Sequence, residues 1–295
     1  MARKDDSLLK SLQKEQIDGK LVLITGATSG IGKATAIGLL ELGARVAITA
    51  RDMNRGQAVA REIQMKSGRS RTELYELDLS SNASIQKFLK DFKKRNKGLD
   101  VLINNAGVFH PQRQESADGI EATFAVNHLG PYVLTEALLE LLEKNAPARI
   151  INVASALHYR GKLDFLANKD ACMRTADYSG IAAYNDTKLC NVVYTMDLFR
   201  RLQSKQISAF AYHPGMVDTG LVREYPGFVN FLWGAVSKSP ARAAQGLIRL
   251  ATHPDPGPSG TYYHGNKRKN PLPVASEPAS AEKLKSISES FLKKR

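Results

Sequence analysis

A chain of 295 residues, 43% hydrophobic and 24% charged, has the composition of a globular domain large enough to bury a sizeable core, which excludes a disordered or fibrous protein. Its formal charge of +13 is dispersed in short runs, "KKRNK" at 93–97, "KRK" at 267–269 and a terminal "KKR", and no binding motif accompanies it, so nucleic acid is not an expected partner. Two cysteines, Cys172 and Cys190, are too few for a disulfide framework and fit a reducing compartment, and the six histidines show no metal-ligand spacing, so no metal is expected.

The opening "MARKDDSLLKSLQKEQIDGK" lacks the apolar core of a signal peptide, and no later run approaches the roughly 20 apolar residues of a membrane span. Residues 1–18 read as a charged N-terminal extension, and the whole as a soluble cytoplasmic protein with no integral membrane segment. From there, strands are expected at 21–25, 44–49, 73–79, 99–105, 148–155, 207–213 and 260–265. Between them lie "GKATAIGLLELG", "NRGQAVAREIQMK", "SIQKFLKDFKKR" and "YVLTEALLELLEKN", whose apolar residues recur at helical spacing. Strict alternation implies an α/β chain: one Rossmann-type doubly wound domain over 19–295, with a mostly parallel seven-stranded sheet flanked by helices on both faces. Two intervals break the alternation, 156–182 and 214–240. Ligands of an open α/β sheet sit beyond the carboxyl ends of its strands, so both intervals are expected to be substrate-side insertions.

"LVLITGATSGIGKAT" sets Gly26, Gly30 and Gly32 between a strand and a helix. Glycines there let the backbone approach a pyrophosphate, and the helix N-terminus offers free N–H groups and the positive end of a dipole. The spacing is GxxxGxG, not GxGxxG, and the residue after Lys33 is Ala34, so no Ser or Thr stands where a Walker loop needs one for magnesium. The second strand ends "AITARD". Arg51 and Asp52 fall where a dinucleotide site usually has an acid for the ribose hydroxyls, and an arginine at that place can hold a 2′-phosphate. NADPH/NADP+ is therefore expected over NAD(H), with Lys33 and Arg55 as candidate assistants.

"AYNDTKLCN" puts Tyr184 and Lys188 one helical turn apart. Free side chains titrate at about 10 and about 10.4, and spacing alone leaves a plain helix surface as good an account as a proton-transfer pair. Seven motifs in order decide between them: "TGATSGIG" at 25–32, "LDLS" at 77–80, "NNAG" at 104–107, "VNHLG" at 126–130, "NVAS" at 152–155, "YNDTK" at 184–188 and "HPGMVDT" at 213–219. With them the chain resembles the short-chain dehydrogenase/reductase family over about 18–293. "ITARD", "VNHLGPYVLTEALL", "KLCNVVYTMDLFRRL" and "SGTYYHGNKR" look most like its NADPH-preferring, retinol-dehydrogenase-like branch.

The resemblance implies roles position by position. Asn127 would order a proton-relay water, and Ser155, Tyr184 and Lys188 would be the catalytic trio. Gly26, Thr28, Ser29, Gly30, Ile31 and Gly32 would cradle the cofactor, with Arg51 and Asp52 at its ribose. Asp78 and Leu79 would flank the adenine, and Asn105, Ala106 and Gly107 would line the cofactor. Pro214, Gly215, Val217 and Thr219 would cover the carboxamide, and Tyr184 and Lys188 would also touch the nicotinamide ribose. Many members of the branch begin with a membrane-anchoring helix, which residues 1–20 do not resemble. Relatives often pair through the helices carrying the tyrosine motif, so a homodimer is the oligomer to test for, although 156–182 stands to obstruct that surface.

The chemistry implied is hydride transfer between a nicotinamide and a lipophilic aldehyde, ketone or secondary alcohol, retinoid-like or other. A tyrosine serving as acid needs its pKa pulled down towards neutrality, which the ammonium of Lys188 would favour, while Ser155 would hold the substrate oxygen. "LVREYPGFVNFLWGAV" at 221–236 could fold over an apolar substrate as a lid, and "SAEKLKSISESFLKKR" is expected as a packed amphipathic C-terminal helix. His158 follows Ser155 by three residues, but no acidic partner or nucleophile elbow makes a hydrolase of the two. The competing reading is a catalytically silent NADPH-binding regulatory or scaffold protein, against which the full set of Asn127, Ser155, Tyr184 and Lys188 argues. The glycine spacing speaks against an epimerase or dehydratase.

Overall fold

The computed structural model describes residues 13–70, 72–215 and 239–292. Seven strands run parallel: β1 (Leu21–Ile24), β2 (Arg45–Ala50), β3 (Thr72–Glu76), β4 (Val101–Asn104), β5 (Ala148–Val153), β6 (Ile207–His213) and β7 (Thr261–His264). They lie in the order β3-β2-β1-β4-β5-β6-β7, and an eighth strand, β8 (Lys267–Lys269), returns antiparallel to β7. The expected count of seven is thus one short. β8 consists of three exposed charged residues with no apolar alternation to mark it, and it is set by the turn at Gly265, whose φ of 58° suits glycine.

The main helices are α1 (Gly30–Glu41), α2 (Met53–Ser67), α3 (Asn82–Arg95), α4 (Gly130–Lys144), α5 (Gly180–Leu202), α6 (Pro240–Thr252) and α7 (Pro278–Leu292). Side-chain oxygens of Asp52, Ser81, Ser179 and Ser239 accept the first-turn N–H groups of α2, α3, α5 and α6. Alternation of strand and helix does not single out α6, although Ser239–Pro240 is a helix-start signal. α4 continues a helical turn at Ala122–Phe124 through a π-helical turn at Ala125–Leu129.

Both faces of the sheet are buried. Leu21, Leu23, Leu102 and Ile150 face a core shared with α3, α4, α5 and α7, while Val22, Ile24, Ile103 and Ile151 face a second core shared with α1 and α6. Ile17 is buried in this second core, so the end of the charged opening segment belongs to the packed domain. α7 buries Leu284 and Ile287 in the first core, as expected of a packed helix. β3 stops at Glu76 instead of 79, because the Asp78 carboxylate turns back to accept from the Ser80 N–H and hydroxyl. Among the described residues no helix is long and apolar enough to cross a membrane. Strand order reverses between β1 and β4, and the carboxyl ends of these strands, beyond Ile24 and Asn104, are where an open α/β sheet binds its ligand.

Candidate active site

The loop after β1 is sewn to the end of β4. The Thr25 hydroxyl accepts from the N–H groups of Asn105 and Ala106, both at 3.1 Å, and the Asn105 amide donates to the carbonyls of Thr25 and Gly26 at 2.9 and 3.0 Å. Gly26 has a φ of 66°, and a Cβ there would lie 2.7 Å from the Ala106 Cα. A Cβ on Gly32 would lie 2.5 Å from the Gly26 carbonyl oxygen. Ser29 precedes α1 with extended backbone and makes no side-chain cap, so the first N–H groups at Gly30, Ile31 and Gly32 have no such acceptor. Ser29 is exposed, Thr28 half-buried, and Gly30 has a φ of 53°. This is a concave, donor-lined cradle with its side chains removed, as a pyrophosphate requires.

Arg51 and Asp52 are exposed just beyond β2. Asp52 is partly spent: its Oδ1 accepts the Arg55 N–H at 3.0 Å and caps α2. Lys33 is held by Glu62 at 3.0 Å, and the Lys66 and Lys33 ammonium groups beside Glu62 hold its carboxyl below the usual range. No other described residue engages the Arg51 guanidinium. Asp78 is half-buried, and its N–H donates to Ser84. Leu79 is buried against α4, with its carbonyl oxygen 2.4 Å from where a Gly130 Cβ would be.

The four side chains expected to do chemistry come from three elements. Asn127 sits in the π-helical turn, where the wider coil breaks the ordinary helix register. Its Oδ1 accepts from the Val108 N–H at 2.7 Å, and its Nδ2 donates to the Val108 carbonyl at 2.9 Å and to Thr187 at 3.2 Å. Thr187 in turn donates to the Tyr184 carbonyl. A Cβ on Gly107 would lie 3.3 Å from Asn127 Oδ1 and 3.4 Å from Lys188 Nζ, so the bare glycine, the amide and the ammonium meet at one point. Lys188 Nζ lies 5.4 Å from the centre of the Tyr184 ring, whose edge meets Phe109.

Lys188 also donates to the Val153 carbonyl at 3.1 Å, joined there by Asn191 at 3.4 Å. That carbonyl is available because the β4–β5 pairing ends with Asn104 opposite Asn152, one residue earlier. Ser155 follows two residues on, buried, its Oγ accepting the Leu157 N–H at 3.2 Å. Asn191 and Phe109 escape a motif reading. The only signals for them are an amide three residues past the lysine and an aromatic two past "NNAG".

Electrostatics here differ from the expectation. Tyr184 is only half-buried at its surface yet lies deep among protein atoms, and that burial pushes its phenol up, not down. Burial likewise pulls Lys188 down to about 8. Desolvation penalises whichever form is charged, so it moves the phenol and the ammonium in opposite directions.

Pro214 and Gly215 are described, Gly215 with a φ of 91°, whereas Val217, Thr219 and the aromatic stretch at 221–236 lie outside the described residues. The interval 156–182 forms 3-10 turns at Ala156–Arg160 and Asp164–Ala167 and a short helix at Lys169–Met173. A cavity of about 530 Å³ opens between α3, α4, that short helix and the end of α7. Leu79 lines it, but none of Asn127, Ser155, Tyr184 or Lys188 does, so it is separate from the chemistry. Among the described residues no cluster could hold a metal ion, and both cysteines are buried and free, with burial raising Cys190 well above the ordinary thiol value.

Residues 20–165 match the family model described as short chain dehydrogenase. The chain is 41% identical over 239 residues to retinol dehydrogenase 11 of Homo sapiens, covering 80% of this chain and 74% of that protein. It is 40% identical over 277 residues to human retinol dehydrogenase 12, covering 92% and 86%. Among solved structures, the active-site complex of Pseudomonas aeruginosa RhlG with NADP superposes with a TM-score of 0.69 at 26% identity, covering 84% of this chain and 95% of that one.

Proposed function

We propose, for a chain that belongs to the short-chain dehydrogenase family and within it to the retinol-dehydrogenase-like branch, an NADPH-dependent oxidoreductase that interconverts lipophilic carbonyl compounds and their alcohols. Retinoid-like molecules are the first substrates to try, because relatives about 40% identical to this chain are named retinol dehydrogenases. The observation that carries the reading is the meeting of Gly107, Asn127 and Lys188 at one point beside the Tyr184 ring.

The chain's residues fit a dinucleotide. The cradle at Gly26 and Gly32 has no room for a Cβ, and the start of α1 offers uncapped donors for a pyrophosphate. Arg51, which no other described residue engages, can meet a 2′-phosphate, while Asp52, the acid a ribose diol would need, is drawn into capping α2. When bound, the cofactor supplies or accepts a hydride at its nicotinamide.

Ser155 donates its hydroxyl hydrogen to the substrate oxygen, since the Oγ lone pair already accepts from Leu157. Tyr184 delivers the proton that neutralises the alkoxide formed on reduction, and takes it back on oxidation. One Lys188 N–H is committed to Val153, leaving two donors for the nicotinamide ribose and the proton path. Asn127 holds the Val108 backbone, in the loop after β4, and Thr187 together, so Gly107 and Lys188 keep their separation. The phenol, pushed up by burial, needs positive charge close by to become a competent acid, which an oxidised nicotinamide ring would add. We take 19–295, with the preceding Ile17 packed into its core, as one catalytic domain with 156–182 on the substrate side; most of the interval 214–240 lies outside the described residues.

NADPH oxidation across a panel of aldehydes and ketones, repeated with NADH, tests this. Tyr184→Phe is expected to lower turnover about 10³-fold while NADPH still binds. Arg51→Ala is expected to cut the preference for NADPH over NADH about tenfold. Undiminished turnover by Tyr184→Phe would remove that residue as the acid. Tight NADPH binding with no carbonyl reduced would favour the silent binding protein.

A further inference from the structure

We propose that His158 is a positioning residue that fixes the peptide of Ser155 and ties it to the segment between β8 and α7; this rests on the reading of Ser155 as the carbonyl donor. The ring is completely buried, and both nitrogens are used by backbone groups of opposite polarity. Nδ1 lies 2.8 Å from the Ser155 carbonyl oxygen, which can only accept, so Nδ1 carries the hydrogen. Nε2 lies 3.2 Å from the Leu272 nitrogen, which can only donate, so Nε2 is bare. Only the neutral Nδ1–H tautomer satisfies both, and burial holds the imidazole below its ordinary pKa, in that neutral form.

The ring is fixed in turn by aromatic neighbours, Tyr159 with centroids at 4.0 Å and Tyr262 at 4.6 Å. The Tyr159 hydroxyl donates to the Asn270 carbonyl at 2.5 Å, so two side chains of one turn grip residues 270–272. Packing alone would be met by any flat apolar ring. What histidine adds is a donor to Ser155 and an acceptor for a residue 114 positions further along the chain. The Ser155 carbonyl receives both the His158 ring and its backbone N–H, the latter at 3.1 Å. With its peptide held from that side and its Oγ accepting from Leu157, the Ser155 hydroxyl hydrogen is left to point to the substrate. His158 and Ser155 form no hydrolase-type pair, since the ring meets the serine's backbone and not its hydroxyl.

The test uses the full chain and NADPH with its best carbonyl substrate. In His158→Asn the amide nitrogen falls where Nδ1 was and keeps the donor to Ser155. In His158→Gln the amide oxygen reaches where Nε2 was and keeps only the bond from Leu272. Asn is expected to stay within about threefold of wild-type kcat, and Gln to lose about tenfold in kcat with KM and NADPH affinity within about twofold. Equal kcat in the two variants, or losses shared between kcat and KM, would overturn the proposal. Ser155→Ala separates it from the underlying reading: normal turnover there sinks both, whereas a dead Ser155→Ala beside indistinguishable Asn and Gln variants sinks the positioning role alone. Should the variants fold poorly, ¹⁵N NMR of wild-type protein decides, an Nδ1–H signal at pH 7.5 supporting the assignment and an Nε2–H signal refuting it.

Discussion

At Gly26 and Gly32 the chain passes so close to neighbouring backbone that no side chain fits, whereas residues 156–182 are held by side chains reaching across long sequence distances. There the Arg174 guanidinium pairs with Asp186 at 2.6 Å and stacks on Phe165, and the Tyr178 hydroxyl donates to Glu121 at 3.0 Å. Glu121 is itself wholly buried, its carboxylate accepting the N–H groups of Thr123 and Phe124. A site built from missing atoms tolerates no addition but is cheap to specify in a short motif. One built from paired charges and hydroxyls fails by deletion, and its partners lie wherever the fold brings them.

The sharpest way to break the first kind is to add one methyl group. Gly32→Ala is expected to abolish measurable NADPH binding, because its Cβ would stand 2.5 Å from the Gly26 oxygen and 2.6 Å from the Asn105 amide, both of which the loop needs where they are. Titration of NADPH fluorescence checks it; near-wild-type affinity would mean that the loop relaxes and that its close packing is not what shapes the cradle.

This difference also governs what the sequence discloses. The glycine loop, the seven parallel strands and the order of the motifs are readable because each depends on local residue type: glycine for close approach, apolar runs for doubly covered strands. The π-helical turn at Ala125–Leu129, the capping Glu121 and the shared Val153 carbonyl are not, because each depends on a partner that only the fold supplies. Asp186 illustrates the point: it sits between Tyr184 and Lys188 in "YNDTK", yet it accepts from the Lys162 N–H and from Arg174 and takes no part in the constellation on the other side of α5.

Deletion is the corresponding way to break the second region. Arg174→Ala leaves the mostly buried Asp186 carboxylate with only a backbone donor, and a loss of about 3 kcal/mol is expected by urea unfolding at pH 7. Burial already raises the Asp186 pKa despite its partners, so without Arg174 it takes up a proton more readily and the loss should shrink as pH falls. Replacing both residues with Leu should recover most of the stability. If the single variant unfolds like wild type, the pair is not what fastens this segment to α5.

Lys188, on α5 outside both regions, is a buried charge held by one backbone carbonyl, and it gives the smallest but most diagnostic effect. Its folded pKa is about 8 against an ordinary value of 10.5, so between those pH values the unfolded chain binds the proton that the folded chain does not. Folding stability from this group must then rise with pH across that window, by about 3 kcal/mol at most, and is penalised by that amount below pH 8. Lys188→Met removes the buried charge and also the bond to Val153, the latter worth about 1 kcal/mol. At pH 7 the variant should therefore be more stable than wild type by about 2 kcal/mol, and the advantage should vanish and reverse slightly by pH 10.5. Every other titrating group is common to both proteins, so the difference between their unfolding curves isolates this one. Curves that run parallel from pH 7 to 10.5 would mean that Lys188 is not desolvated, and the cleft around Tyr184 would have to be wetter than its packing implies.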